Sequence, residues 1–545
     1  MYSSEFTLTT NARESRSIAV EQSIAEAVVA AVQASAGTTL RGDVEDAESV
    51  SLTFFDSFDW RFHRAGMCLA RVEEPGRRTA TLHQLNSVTG EVEAQLTLPS
   101  ARAKSRLDIS TLPASPMQQW LSKRLGVRVA LPLIEIVEWR RTINLRDEEG
   151  KTVVRLRATT ATVTDVSASD SSDESRRTEL LQRVRIVSLR GYEDEAHEVE
   201  TILRGSSDWR ECEVSRFEEA LGEIGRSPGD YQSAFFLPLS PEMEARTALR
   251  AILNHLLISL ERNEPGLRAD LDPEFLHDYR VAIRRTRTLL GQMRTVLPDW
   301  GRFEEMFRTL GQVTGPTRDL DVSLLDYGAL QETIPPEMRG ALHPLATRWQ
   351  RRRRAARKAL LAYLDGDAYL NALQDWRDAL ATTGSVGADN AWPVVSAQPI
   401  GDIASARIHK TWKRIMREGK AITPETEPAA LHDLRKSCKK LRYLLEFFQS
   451  LFPPADIKSL IKSLKQLQDN LGTFQDCEVQ ALSMMEIANG KSGGAKTDPA
   501  TFMSVGAAVS ALFARQHAAR DAFAETFKGF ATHENKALVT ELFGR

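Results

Sequence analysis

The chain has 545 residues, 42% of them hydrophobic, and 71 Lys+Arg against 74 Asp+Glu give a formal net charge of -3. That length implies two to four domains, and no run of about 18 apolar residues is present to cross a membrane. Cys68, Cys212, Cys438 and Cys477 show no CxxC spacing, which argues against a disulfide scaffold or a structural zinc site and predicts a reducing, cytoplasmic setting.

The opening MYSSEFTLTT has no basic stretch followed by an apolar one, so no signal peptide is expected. Along the first 220 or so residues, β-branched and aromatic residues alternate with period two at Ser3–Thr9, Ser51–Phe55, Met67–Val72, Glu91–Leu98, Thr152–Arg157 and Arg183–Leu189. These predict strands. Ser17–Ala34, Pro116–Leu125, Glu195–Leu203 and Ser215–Ile224 carry helical spacing. The mix predicts an α+β domain over 1–224 with a mostly antiparallel sheet. The Ser/Asp-rich stretch 165–178 reads as a mobile loop. The segment 225–241, GRSPGDYQSAFFLPLSP, with three prolines and two glycines, reads as a linker.

Beyond it the apolar period becomes helical, over Met243–Arg262, Pro273–Val296, Pro344–Tyr363 and Tyr369–Ala381. It resumes at Ile403–Lys420, Ala429–Leu451, Ile457–Asn470 and Phe502–Phe530, with longer loops at 382–401 and 489–499. This half is predicted all-α, a helical bundle. The charge divides with the fold. Residues 241–545 hold 42 basic and 37 acidic residues, net +5, which leaves -8 for residues 1–240.

The helical half contains a duplication. LHDYRVAIRRTRTLL (276–290) matches LHDLRKSCKKLRYLL (431–445) at a shift of 155. After a two-residue slip LGQVTGPTRDLDV (310–322) matches LQDNLGTFQDCEV (467–479), which pairs Gly315 with Gly472 and Asp319 with Asp476. RRRAARKALLAYL against RQHAARDAFAETF pairs Arg357 with Arg520. Two similar subdomains are expected, 242–383 and 402–540.

On a helix, His277, Arg280, Arg284 and Arg287 fall on one stripe, as do His432, Arg435, Lys439 and Arg442. Like charges at this spacing repel by a few tenths of a kcal/mol per pair, so a bound polyanion would account for keeping the stripe twice. Arg forks grip phosphate oxygens bidentately and Lys acts as a compact charge. The two histidines each precede an Asp in a first helical turn, and serve equally well as ligand contacts or as capping or core residues. The run Arg351–Arg354 alone reads as a solvated face, and Lys410, Lys413, Arg414, Arg417 and Lys420 add further cations. Acids such as Asp270, Asp272, Asp319 and Asp476 are expected in turns or caps. A helical His-Asp doublet also resembles the metal-dependent HD phosphohydrolases, but arginines at +3 and +7 beside it oppose metal binding. Nucleic acid is a weaker candidate, because few aromatics interleave with the cations and Tyr279 and Tyr443 do not align between copies.

The duplicated HDxRxxxRRxRxLL segments and the Gly/Asp segments after them closely resemble the CHAD domain, the conserved histidine α-helical domain, over about 241–545. The resemblance implies two pseudo-symmetric bundles around a basic central groove that binds inorganic polyphosphate. By motif position the ligand residues are His277, Arg280, Arg284, Arg287, His432, Arg435, Lys439 and Arg442, with Arg357 and Arg520 as additions. It also implies possible residence on polyphosphate or storage granules, and it calls for no cofactor.

TFFDSFDWRFHRAGMCLARVEE (53–74) resembles a segment of CYTH domains, which often precede CHAD domains. Their antiparallel tunnel hydrolyses triphosphate with metal-bound carboxylates from an ExExK strand. Here the strand reads SSEFTLTT, so Glu5 fills one carboxylate position and no Lys follows. Arg71 remains, but Glu73 stands where a second cation is expected, and Ser188 and Arg190 stand where carboxylates would sit. A triphosphatase needs about two metals and several phosphate-binding cations. The expectation is therefore a degenerate CYTH-like domain without catalysis or metal, joined to a polyphosphate-binding CHAD domain. The alternative is an inorganic triphosphatase with a divergent tunnel.

Overall fold

A computed structural model describes residues 3–8, 19–35, 39–85, 92–98, 107–166, 177–381, 394–488 and 498–544. Most of the stretch read as a mobile loop at 165–178, and most of the loops at 382–401 and 489–499, lie outside the described residues. The chain divides into two compact units, Met1–Gln232 and Ser233–Arg545.

The first unit is built on one antiparallel sheet. Its strands are β1 (Ser3–Leu8), β2 (Arg41–Val44), β3 (Glu48–Asp56), β4 (Met67–Glu74), β5 (Arg77–Gln84), β6 (Val92–Thr97), β7 (Leu131–Arg146), β8 (Thr152–Asp165), β9 (Thr178–Glu179), β10 (Arg183–Ser188) and β11 (Trp209–Glu211). They run in the order β11-β1-β10-β8-β7-β3-β4-β5-β6, with β2 added on β7 and β9 on β8. Four helices accompany them: α1 (Ala19–Gln33), α2 (Pro116–Leu125), α3 (Glu193–Gly205) and α4 (Arg216–Glu223). Alternation sorts the side chains. Phe6, Leu156, Val184 and Ile186 face the core shared with α1 and α3. Across the same strands Glu5, Arg185 and Arg157 stand in register on the other face. A second core joins Phe54, Ile134 and Ile136 to Phe217 and Leu221 of α4.

The second unit is all-α: α5 (Ala245–Arg268), α6 (Pro273–Gln292), α7 (Arg302–Leu325), α8 (Tyr327–Glu332), α9 (Pro336–Arg339), α10 (His343–Leu364), α11 (Asp367–Ala381), α12 (Ile400–Lys420), α13 (Pro428–Phe448), α14 (Pro454–Ala488), α15 (Pro499–Asp521), α16 (Phe523–Phe530) and α17 (His533–Phe543). The duplication is visible in the helix starts: α5 and α12, and α6 and α13, each begin 155 residues apart. The two copies share a core. Leu342, Leu345 and Trp349 of the first lie with Met484, Val505 and Leu512 of the second. Residues 233–239 are tied to this unit, with Gln449 donating to the Phe235 carbonyl (2.7 Å) and Ser450 to that of Leu237 (2.8 Å).

One sequence expectation is corrected. Asp319 and Asp476 are expected in turns or caps, yet they lie inside α7 and α14. Pro316 is accommodated within α7. Asp272 does cap α6, accepting from the Glu274 N–H at 2.9 Å, and Asp270 sits in the preceding turn at φ 53°.

Candidate functional site

The stripes on α6 and α13 become a site because those two helices pack together. Leu276, Tyr279 and Ile283 of α6 and Leu431, Leu434, Cys438 and Leu441 of α13 are buried. This burial fixes the azimuth of each helix and turns its cationic face toward the other copy. Between the copies lies a cavity of about 740 Å³, lined among others by His277, Arg284, Arg435, Lys439 and Arg442. The structure thus gathers five of the ten residues named from sequence.

The cavity is mixed in charge. Glu446 is held between Arg285 (2.7 Å) and Arg442 (2.7 Å), and so links the two copies. Asp476 receives Arg435 at 3.0 Å. Glu274, Asp278, Asp326 and Asp469 also reach the lining. Against this background two cations stand out. Neither Arg284 nor Lys439 makes a side-chain hydrogen bond or ion pair among the described residues. Burial, with Arg435, Arg284 and Arg280 nearby, holds the Lys439 ammonium down to about 8. Burial and Arg284 hold the Arg280 guanidinium down to about 10. Burial in turn raises the Asp319 carboxyl above its ordinary value, although Arg280, Arg318 and Arg284 oppose it. Burial and mutual repulsion thus both oppose the charge on Lys439 and Arg280, and an anion placed beside them would relieve that opposition.

Arg280 is positioned rather than open. Its guanidinium donates to the Gly311 carbonyl (2.9 Å) and to Thr314 Oγ1 (2.7 Å). Gly315 and Gly472, the paired glycines, have a common use. A Cβ at Gly315 would stand 3.6 Å from the Arg280 guanidinium, and one at Gly472 would stand 3.6 Å from that of Arg435. Each glycine lets its arginine lie close along the neighbouring helix. Arg287 is exposed at the far end of the stripe. His432 is turned to Gln475 Oε1 at 2.7 Å and lies outside the cavity lining.

Arg357 and Arg520 are not brought to the cavity. Arg357 donates to the Arg268 carbonyl at 2.6 Å, and Arg520 donates to the Thr426 carbonyl. Arg268 closes α5, and Arg357 also pairs with Asp270 in the turn before α6 (3.4 Å), while Thr426 lies in the turn before α13, so both arginines anchor the approach to a stripe-bearing helix. Arg353 likewise pairs with Asp270 and Asp321. Sequence reasoning missed Arg285, Glu446 and Arg515 in the lining. Arg285 sits one position off the stripe, and the copy-1 equivalent of Glu446 at the shift of 155 is Gly291, so the repeat does not flag it.

In the first unit Glu5, Glu219, Glu138 and Glu73 are each engaged by arginine. Glu5 is buried against Arg183 (3.2 Å) and Arg185 (3.5 Å), and Glu219 also takes Arg183 (2.5 Å). Glu138 pairs with Arg140 (2.8 Å), which helps hold its carboxyl low despite burial. Glu73 pairs with both Arg71 and Arg78. Ser188 is buried and Arg190 exposed. Among the described residues no three His, Cys, Asp or Glu side chains gather to hold a metal. The metal site implied by the CYTH resemblance therefore does not fit this donor set.

An α+β unit on an antiparallel sheet, followed by a duplicated helical unit with a cation-bearing cavity between its copies, is the class defined by the fold. Residues 251–483 match the family model of the CHAD domain. An uncharacterized protein of Mycobacterium tuberculosis, found in strains CDC 1551 and H37Rv, is 28% identical over 281 residues, half of each chain. The chain thus spans about half the length of the curated relatives it matches. Among solved structures, the CHAD domain from the plant Ricinus communis is 24% identical over 55% of this chain and 95% of its own, with a TM-score of 0.45. A Hippeastrum putative adenylyl cyclase, described as having a dominant triphosphatase activity, is 13% identical over 42% of this chain and 99% of its own, with a TM-score of 0.25.

Proposed function

We propose that this protein binds inorganic polyphosphate in the cavity between α6 and α13, and that its N-terminal unit is a CYTH-like domain without catalysis. The observation that carries the reading is the pair Arg284 and Lys439, one from each copy, unpaired and half-buried beside Arg280 and Arg435. A chain of phosphates would supply the missing counter-charge, and Arg442 and His277 line the same space. The loss of catalysis is supported by Glu5, Glu138, Glu219 and Glu73 each being committed to arginine. The reading implies a cytoplasmic protein able to associate with polyphosphate or storage granules.

A salt-titrated polyphosphate-binding assay tests it, because counterion release makes affinity fall steeply with salt. Arg284→Glu with Lys439→Glu is expected to lower affinity by more than tenfold, about 1.4 kcal/mol, without unfolding the bundle. Binding that survives both changes, or ignores salt, would sink the reading. On the same preparation, tripolyphosphate with Mg or Mn is expected to release no phosphate. Release abolished by Glu5→Ala would show a working tunnel instead.

A further inference from the structure

The cations of α12 are not used by the central cavity. Lys410, Lys413, Arg414, Arg417 and Lys420 are exposed, while Ile403, Ile408, Trp412 and Ile415 are buried beneath them. The stripe from Lys410 to Lys420 runs about 15 Å along the helix. It is a trough, not a ridge. Cavities of about 690 and 500 Å³ adjoin it, sharing His409, Lys413 and Arg417, and Lys440 of α13 and Lys536 of α17 stand at their walls. Neither shares a lining residue with the central cavity. The nearby acids are occupied: Glu418 by Arg414 (2.6 Å) and Asp433 by Lys436 (3.1 Å). Lys410, Lys413, Arg417, Lys420, Lys440 and Lys536 make no side-chain ion pair among the described residues.

The duplication supplies an internal control. At the shift of 155, α5 places His255, Ile258 and Ser259 where α12 has Lys410, Lys413 and Arg414. The buried faces coincide, Ala248, Leu249, Leu253 and Leu260 matching Ile403, Ala404, Ile408 and Ile415. Pro265 stands where Lys420 is, and Arg417 alone keeps its charge, as Arg262, so the fold is made once with one of these five cations and packing does not require the other four. Like charges at three- and four-residue spacing cost stability, so the stripe on one copy alone answers to a ligand.

We propose that the exposed face of α12 is a second anion track, separate from the central cavity, that holds a further stretch of a long linear phosphate chain. The identity of the chain rests on the function proposed above; the existence of the track does not. Trp412 reaches the lining of one cavity but is buried against Phe530 at 4.7 Å, which leaves little aromatic face for stacking bases among the described residues. The concave walls favour a thread over a flat membrane.

The test uses the full chain with short polyphosphate, long polyphosphate and single-stranded RNA. Lys410→Glu with Lys413→Glu and Arg417→Glu is expected to leave short-chain affinity unchanged. It should weaken long-chain binding about tenfold at low salt and lower the salt slope by about one per residue. The Gln series at the same positions, which cannot reverse charge, should give a smaller loss in the same direction. Long-chain binding equal to that of the unmodified protein overturns the track, as does a loss confined to RNA. If Arg284→Glu with Lys439→Glu leaves all binding intact while the α12 changes abolish it, the central reading falls and the track stands.

Discussion

In the proposed function Lys439 would serve binding at the expense of stability. Its ammonium is desolvated and faces Arg435, Arg284 and Arg280, which holds its pKa to about 8 against an ordinary 10.5. The folded state therefore binds this proton more weakly than the unfolded chain does. The fold carries the full penalty below about pH 8, and the penalty is relieved as pH rises from 8 toward 10.5. Lys439→Met keeps most of the volume and removes the charge. It is expected to raise stability at pH 7 by on the order of 1 kcal/mol, read from denaturant melts, while weakening polyphosphate binding. A bound polyanion would pull the pKa back up, so binding near pH 8 to 9 should take up a proton, and affinity should fall across that range. Calorimetry in buffers of differing ionisation heat measures the uptake. No uptake, or uptake unchanged in Lys439→Met, would remove Lys439 from the site.

At the scale of elements, Arg357 and Arg520 hold backbone carbonyls outside the central cavity. Arg357 donates to the last carbonyl of α5, just before the turn into α6, and Arg520 to a carbonyl in the turn before α13. Losing such a bond costs about 1 to 2 kcal/mol. Arg520→Ala is thus expected to lower the melting temperature while leaving polyphosphate affinity, measured well below melting, within about twofold. A large affinity loss with unchanged melting would return Arg520 to the ligand set. The sequence showed the equivalence of these two arginines but not their job, because a donor to a distant backbone carbonyl leaves no periodic trace. The stripes themselves were legible, since His277 through Arg287 and their copies repeat at helical spacing. Less legible were β7 and α7. In β7, Glu138 and Arg140 interrupt the apolar alternation, and their pairing, with Arg216 also near Glu138, is satisfied across the fold. In α7, Gly311, Gly315 and Pro316 read as breakers, whereas Gly315 makes room for Arg280.

For the whole molecule, the net charge of -3 is the sum of opposite characters, -8 before residue 241 and +5 after it. Anion binding depends on the local field and not on the sum. The protein should therefore bind polyphosphate at pH 7.5, above its sequence pI of about 6.4, while negatively charged overall. The acidic unit acts over distance, and distance is set by salt. The screening length is about 30 Å at 0.01 M and about 8 Å at 0.15 M. An RNA chain that touches the helical unit loosely samples that repulsion at low salt. We expect residues 233–545, checked for a cooperative melt, to bind single-stranded RNA several-fold more tightly than the full chain at about 0.01 M salt, with the difference gone by about 0.15 M. A difference that persists at high salt would mean direct occlusion by the first unit. Equal affinity at low salt would mean that the -8 charge does nothing to select among polyanions, and selectivity would then rest wholly on the cations of α6, α12 and α13.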